Sequence, residues 1–198
     1  MKSTSFPLFS KTLKIAEDFP KGSIWQTRYL CFPMALVLST LALSQSQLFY
    51  PVRLLWFLLG AFSWTLLEYI LHRWLLHYQP QSALTRVMLN RLHIDHHHHP
   101  RDESIVCIPF ILIVPLWGVV LASLLLFGGG SDASLLFTCG LALMMVLYDI
   151  THFSTHYMKA PNKFLKMLKK NHLFHHFKDS KRRFGVTTPF WDFIFGTY

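Results

Sequence analysis

Long apolar runs alternate with short polar segments along this chain. Four runs approach or exceed the roughly 20 residues that a helix needs to cross a bilayer. They cover residues 29–49, 51–71, 105–127 and 134–151. Little amphipathic sequence remains to shield these runs from water, which disfavours buried core helices of a soluble protein. The pattern therefore predicts four membrane-spanning helices.

The polar segments predict the rest of the organisation. Residues 1–28 are polar and basic and lack the apolar core of a cleavable signal peptide, so we expect a cytosolic N-terminal segment. Residues 29–198 then form a single domain, with cytosolic segments at 78–104 and 159–198. The predicted fold class is all-α integral membrane, with four transmembrane helices and a cytosolic helical cap.

Composition and charge agree with this topology. Hydrophobic residues make up 52% of the 198 residues and the mean hydropathy is +0.33, both unusual for a soluble domain. The net charge is +9, and with a cytosolic N-terminus only Arg53 of the nineteen basic residues borders an outward loop. We expect a multi-pass protein with both termini cytosolic, in a bacterial inner membrane or the endoplasmic reticulum. No nucleic-acid partner is expected, and the oligomeric state stays open.

Ten of the twelve histidines fall into four clusters in a fixed order: HRWLLH at 72–77, HIDHH at 93–97, HFSTH at 152–156 and HLFHH at 172–176. Neutral imidazole is the commonest metal ligand in proteins, and ten exceed the needs of one mononuclear site. We predict a two-metal centre at the cytosolic membrane edge. The predicted ligands are His72, His77, His93, His96, His97, His152, His156, His172, His175 and His176.

The spacing within three clusters places their histidines on one helix face, since residues three or four apart are neighbours there. The first cluster differs, because a five-residue step turns His72 and His77 about 140° apart on an ideal helix. That pair either straddles two metals or marks a fraying helix end. His98 and His99 are surplus to two five-coordinate metals, so we expect them to face solvent.

Acidic residues recur one helical turn before two of the clusters. Glu68 precedes His72 by four positions and Asp149 precedes His152 by three. An acid at membrane depth needs a partner, so we predict both as acceptors for the N–H groups of ligand imidazoles. We also predict that Tyr148, like Glu68 and Asp149, lies directly behind the ligand histidines.

The aromatic tail, residues 184–198, is too short to cross a bilayer. We expect it to lie at the membrane interface or to cap the metal site. Within it, Asp192 is either a further acid behind the ligands or a surface residue.

The ordered motifs HxxxxH, HxxHH, HxxxH and HxxHH resemble those of the fatty acid hydroxylase and sterol desaturase superfamily of membrane di-metal oxygenases. The nearest likeness is to fatty acid 2-hydroxylases, and it covers about residues 60–198. Two positions depart from the family pattern: Ile94 stands where the family has glycine, and Ile105 where it often has arginine. Beyond the histidines, the resemblance includes Pro100, Asp102, Pro109, Tyr148, Asp149, Thr151, Phe184, Gly185, Trp191, Asp192, Phe195, Gly196 and Thr197.

The resemblance implies two metal ions that activate O₂, with iron expected for activity and zinc also able to bind an all-imidazole site. It further implies hydroxylation of the acyl chain of a fatty acid or acyl lipid, at C2, with a membrane lipid as substrate. Because the haem domain fused to some family members is missing, we expect a separate electron-transfer protein. Trp64, Leu67, Met145 and Tyr148 are candidates to line the path of the chain.

Two alternatives remain at this stage. One is a sterol or carotenoid desaturase or hydroxylase of the same superfamily. The other is a metal transporter or metal-storage membrane protein, which is disfavoured because transport ligands lie near the bilayer midplane and these histidines lie at one edge.

Overall fold

The computed structural model describes residues 20–127 and 130–198, and the first 19 residues of the predicted N-terminal segment lie outside this part. The described chain is helical, with no strand in it. A 3₁₀ turn at Glu103–Ile105 precedes the fourth helix. In chain order the helices are α1 (Ile24–Gln45), α2 (Tyr50–Leu76), α3 (83–98), α4 (Phe110–Leu126), α5 (Ser131–Tyr157), α6 (Lys163–Phe177) and α7 (Phe190–Ile194).

Four helical stretches are long and apolar enough to cross a membrane, which confirms the predicted spans and the all-α class. They are Ile24–Gln45, Tyr50–Leu76, Glu103–Leu126 and Ser131–Tyr157. The second and fourth continue about six residues beyond the predicted ends, because backbone hydrogen bonding persists after the apolar run stops. The first and third histidine clusters therefore lie on the spans themselves.

Helix α5 is the centre of the bundle. In its most apolar stretch 61% of the residues are buried, against 28% for each of the other three spans. It packs closely against α2, where a Cβ atom added to Gly60 would collide with the Phe137 carbonyl and one added to Gly140 with the Phe57 carbonyl. Such small residues let backbones approach in membranes. This contact brings together the two helices that end in histidine clusters.

Polar contacts lock the opposite end of the bundle. Asp132, at the start of α5, accepts hydrogen bonds from the Ser46 hydroxyl at 2.8 Å and the Gln47 amide at 2.6 Å. Arg53 donates to the Leu43 carbonyl at 2.9 Å and so satisfies a free carbonyl at the end of α1. The one basic residue predicted near the outward loops therefore caps a helix.

Candidate metal centre

All ten predicted histidines gather at the end of the bundle where α2 and α5 meet α3 and α6. They form two sets of five, and within each set one ligand atom from every residue lies within 4.8 Å of all the others. His98 and His99 belong to neither set and are exposed. Set A is His72, His77, His93, His97 and His175, and set B is His96, His152, His156, His172 and His176.

The HxxHH motif links the two sets. His93 and His97 of α3 are four residues apart and reach set A, whereas His96 is turned away from them and reaches set B. Helix α6 does the reverse, giving two histidines to set B and one to set A. Between the sets, the rings of His97 and His176 stack with centroids 4.1 Å apart. Each set therefore takes two histidines from a span, two from one surface helix and one from the other.

A π-helical turn explains the five-residue spacing of the first cluster. Residues Leu71–Leu76 form this turn, in which hydrogen bonds run from residue i to i+5 and bring residues five apart to one face. The rings of His72 and His77 lie 5.2 Å apart in set A. The alternative that this pair straddles two metals is wrong, because the helix is wound more loosely here than the ideal helix assumed.

Backbone carbonyls orient two imidazoles of set A. The Nδ1–H of His72 donates to the Phe184 carbonyl, and the Nδ1–H of His175 donates to the Arg182 carbonyl at 2.7 Å. A carbonyl only accepts, so the proton of each ring must be on Nδ1. Both rings therefore present the lone pair of Nε2 to the interior of set A. Outer partners of this kind hold metal-binding histidines in many proteins.

Unpartnered ring nitrogens indicate what the sets can hold. Among the described residues, the Nε2 atom of His72 and both ring nitrogens of His152 and His176 are buried without a hydrogen-bond partner. Elsewhere two Nε2 atoms face each other at short range, as at 3.0 Å between His77 and His175. Because the His175 proton is on Nδ1, its Nε2 cannot donate. Buried polar atoms nearly always have partners, and a cation within each set would supply one.

The charge state of these rings suits metal binding. Burial lowers the pKa of His77 and His175 to about 4 and that of His96 to about 3. Burial together with the neighbouring histidines lowers the pKa of His97 to about 2. These imidazoles are therefore neutral at physiological pH, the form in which imidazole coordinates a metal.

The structure corrects the role predicted for Glu68. Its carboxylate accepts hydrogen bonds from the backbone amides of Val186 at 2.6 Å and Thr187 at 3.0 Å, and from the Thr187 hydroxyl. None of its hydrogen bonds within the described chain goes to an imidazole. The physical reason is that the tail folds back over α2 and brings buried amides that need an acceptor. Glu68 therefore holds the tail in place.

Asp149 requires the same correction. Its carboxylate accepts from the Thr27 hydroxyl at 2.8 Å and from the Ile108 amide at 3.0 Å. It joins α1 and the segment before α4 to α5, and in the part of the chain described it has no imidazole partner. Tyr148, by contrast, does contact a predicted ligand, since its ring stacks on His152 with centroids 5.6 Å apart.

Asp192 is fully buried, so the surface role is wrong. Its two carboxylate oxygens accept hydrogen bonds from the backbone amides of Phe184 and Gly185, both at 2.9 Å. Asp192 thus reaches His72 only through the backbone of Phe184. The tail, together with the residues just before it, caps set A. The contacts are made by the backbone carbonyls of Phe184 in the tail and of Arg182 before it. Sequence reasoning missed these two because their backbone carbonyls, not their side chains, make the contacts.

A mainly apolar cavity of about 570 Å³ adjoins both sets. His93 of set A and His152 of set B line it. Three of the four candidates for the path of the chain, Trp64, Met145 and Tyr148, line this cavity, whereas Leu67 packs against the core cluster to which those three also belong. A molecule in this cavity would touch one histidine from each set.

Polar residues line another part of the cavity. Lys21, Arg91, Asp102 and Ser104 contribute to the wall together with Ile105, one of the departures from the family pattern. Lys21 and Asp102 are exposed, so this part lies near the surface. The cavity therefore combines an apolar wall with a polar one.

Comparisons with known proteins agree with this geometry. The family model for fatty acid hydroxylase matches residues 57–197. The dihydroceramide fatty acyl 2-hydroxylase FAH2 of Arabidopsis thaliana is 35% identical over 87% of this chain and 72% of its own length. The ceramide very long chain fatty acid hydroxylase SCS7 of Saccharomyces cerevisiae is 37% identical, over 98% of this chain.

The match covers different shares of the relatives. It spans 50% of the yeast protein and 38% of the human fatty acid 2-hydroxylase, which is 37% identical over 71% of this chain. Among solved structures, full-length scs7p, in which only the hydroxylase domain is visible, superposes with a TM-score of 0.78 at 33% identity. That match covers 90% of this chain and 67% of the other. The chain belongs to the fatty acid hydroxylase family.

Proposed function

We propose that this protein hydroxylates the acyl chain of a fatty acid or acyl lipid at C2, with two metal ions and O₂. The observation that carries the proposal is the single apolar cavity lined by His93 of set A and His152 of set B. A carbon atom placed there lies beside both sets. The names of the relatives, which are fatty acyl and ceramide hydroxylases, support the same reaction.

Each set has the ligands to hold one metal ion. We propose iron, because O₂ chemistry needs a redox metal, although an all-imidazole site also binds zinc well. Bound iron would supply the activation of O₂ and the abstraction of hydrogen from an unactivated C–H bond. One oxygen atom enters the C–H bond and the other leaves as water, with two electrons and two protons consumed. We propose a separate electron-transfer protein as the electron donor.

The residues of the chain position the substrate and exclude water. The apolar wall, which includes Trp64 and Met145, suits the methylene chain, and the polar wall with Lys21 and Ser104 suits the polar end of the lipid. We propose that carbon atoms close to that polar end lie nearest the sets, because Arg91 of the polar lining is two residues before His93. Fixing the reacting carbon beside the metals removes much of the entropic barrier to reaction.

The location of the site supports a membrane-edge reaction. Both sets lie where α2 and α5 end, beside the surface helices α3 and α6. We propose that this end faces the cytosol with both termini and that α3, α6 and the tail form a cytosolic cap. The positive-inside rule supports this orientation, because Arg53 is the one basic residue that borders the loops at the opposite end. Its side chain caps α1 there.

Lipid mass spectrometry tests the reaction and the cavity together. Cells expressing the chain should accumulate acyl lipids that have gained one oxygen, with fragmentation placing it at C2. His152→Ala should abolish this product. Leu116→Trp adds bulk at a residue that lines the cavity and belongs to neither set, so it should reduce product while leaving the metal content unchanged. An oxidised sterol or carotenoid, or no oxidised lipid in cells with iron-loaded protein, would overturn the proposal.

A further inference from the structure

The tail segment 182–187 meets set A but not set B. The Phe184 and Arg182 carbonyls accept from His72 and His175, which both belong to set A. In set B, the Nδ1 atoms of His96 and His172 and both nitrogens of His176 are buried without such a partner in the described structure. Two geometrically similar sets are therefore held by different means.

Two buried carboxylates hold four consecutive amides of this segment. Asp192 accepts from residues 184 and 185, and Glu68 accepts from residues 186 and 187. Asp192 also accepts from the Thr197 hydroxyl at 2.8 Å, which in turn is hydrogen-bonded to the Tyr69 hydroxyl at 2.8 Å. Hydrogen bonds to charged acceptors are roughly twice as strong as neutral ones. The carboxylates thus fix the path of the backbone whose carbonyls meet set A.

The path includes one costly conformation. Arg183 lies between Arg182 and Phe184, the two residues whose carbonyls accept from set A. Its φ is 58°, in the left-handed region that residues with a side chain disfavour. Three contacts hold it there: its amide donates to the Thr197 carbonyl at 2.8 Å, and its guanidinium binds Asn171 at 3.0 Å and lies over the Phe174 ring. Strain of this kind persists where the surroundings over-determine it.

We propose that Asp192 is a positioning residue that sets the metal affinity of set A alone, through the Phe184 backbone and His72. The inference rests on the proposed function only in assuming that each set binds a metal. Replacing the carboxylate by an amide removes the charge and one of its two acceptor oxygens, so residues 184 and 185 are no longer both held and the Phe184 carbonyl fixes the proton and orientation of His72 less well. Set B, whose rings make no hydrogen bond to this segment in the described part of the chain, should keep its geometry.

The test is a zinc titration of the purified full chain against a chelator of known affinity. Wild type should bind two Zn²⁺ per chain tightly. Asp192→Asn should keep one tight site and weaken the other by about 10- to 100-fold, the usual loss when an outer partner of a ligand histidine is removed. Asp132→Asn is the matched control, since it makes the same substitution at a carboxylate that also accepts from a backbone amide and a hydroxyl, at the end of α5 remote from the sets. It should bind two ions tightly.

Double variants identify which site is weakened. Asp192→Asn combined with His77→Ala in set A should still keep one tight ion, whereas Asp192→Asn combined with His156→Ala in set B should keep none. Gly185→Ala provides an independent route, because the added Cβ would press on the Thr188 carbonyl and the Asp192 carboxylate. It should reproduce the loss of one ion.

The outcomes separate this inference from the proposed function. Wild type that binds fewer than two ions contradicts the metal centre itself. Wild type with two tight ions and Asp192→Asn with two equally tight ions, or with both weakened alike, overturns the inference alone. Loss of the last tight ion in the Asp192→Asn, His77→Ala variant overturns it as well.

Discussion

Neutral imidazoles packed closely at the membrane edge are costly unless something binds their lone pairs. Burial keeps the rings of His77 and His175 uncharged, yet their Nε2 atoms lie 3.0 Å apart. The free energy of leaving such atoms unpaired is about 1–3 kcal/mol each. A bound metal ion would remove that cost, so metal binding and the folding of this region are coupled.

Replacement of one histidine should therefore remove one metal ion. We expect His176→Ala to lower the metal content from two ions to one and product formation by at least about 100-fold, the upper end for loss of an outer partner. The physical reason is that His176 is a half-buried member of set B whose ring nitrogens have no other partner. Metal analysis and lipid mass spectrometry measure both effects.

His98→Ala is the control for this experiment. His98 directly follows His96 and His97 in a run of four histidines, but it is exposed and belongs to neither set. We expect it to keep two ions and most of the activity. Equal losses in His98→Ala and His176→Ala would contradict the division into two sets.

At the scale of helices, side-chain spacing was predictable and backbone irregularity was not. The i+3 and i+4 spacings placed eight of the ten predicted histidines on shared helix faces, and the structure brings all ten together. The π turn at Leu71–Leu76 could not be anticipated, because the apolar pattern is compatible with either winding and contacts with other elements select the looser one. The partners of Glu68 and Asp149 were missed for a similar reason: they are backbone amides and threonine hydroxyls of segments distant in sequence, and neither kind of donor has a signature in sequence.

The contact between α2 and α5 has a sharper consequence. Gly60 and Gly140 each lie against the backbone of the other helix, with no room for a Cβ atom. We expect Gly60→Ala and Gly140→Ala each to destabilise the protein by about 1–3 kcal/mol, the usual cost of overpacking. Unfolding in mixed detergent micelles, followed by circular dichroism, measures this.

Gly118→Ala in α4 is the matched control. A Cβ atom there meets nothing within 4 Å, so the change should stabilise the helix by up to about 1 kcal/mol through the higher helix propensity of alanine. A destabilisation at Gly118 as large as that at Gly60 would show that helix propensity or lipid contact, not helix packing, governs the effect.

For the whole molecule, the histidine sets connect the membrane helices α2 and α5 to helices α3 and α6. Helices α2 and α5 belong to the bundle, and the two histidine sets bring histidines of α3 and α6 against them. Long apolar runs predicted the bundle, and four histidine clusters predicted its function. The cap over set A was left open between two alternatives, because the tail is placed by buried hydrogen bonds from Asp192 and Glu68 rather than by an apolar pattern.

The buried histidines of these sets should make the metal-free protein less stable in acid. The pKa of His77 and His175 in the fold is about 4, below the value of about 6.5 in an unfolded chain. Between these values the unfolded chain binds more protons, so the stabilising effect is present above pH 6.5 and is lost as the pH falls towards 4. Each such imidazole contributes a slope of about 1.4 kcal/mol per pH unit to the free energy of unfolding.

Chelator-treated protein should therefore unfold more easily at each step from pH 7 to 4.5. The variant His77→Gln, which removes one of these groups, should show a shallower decline in the free energy of unfolding. An equal slope in the two proteins would mean that other groups control the acid response.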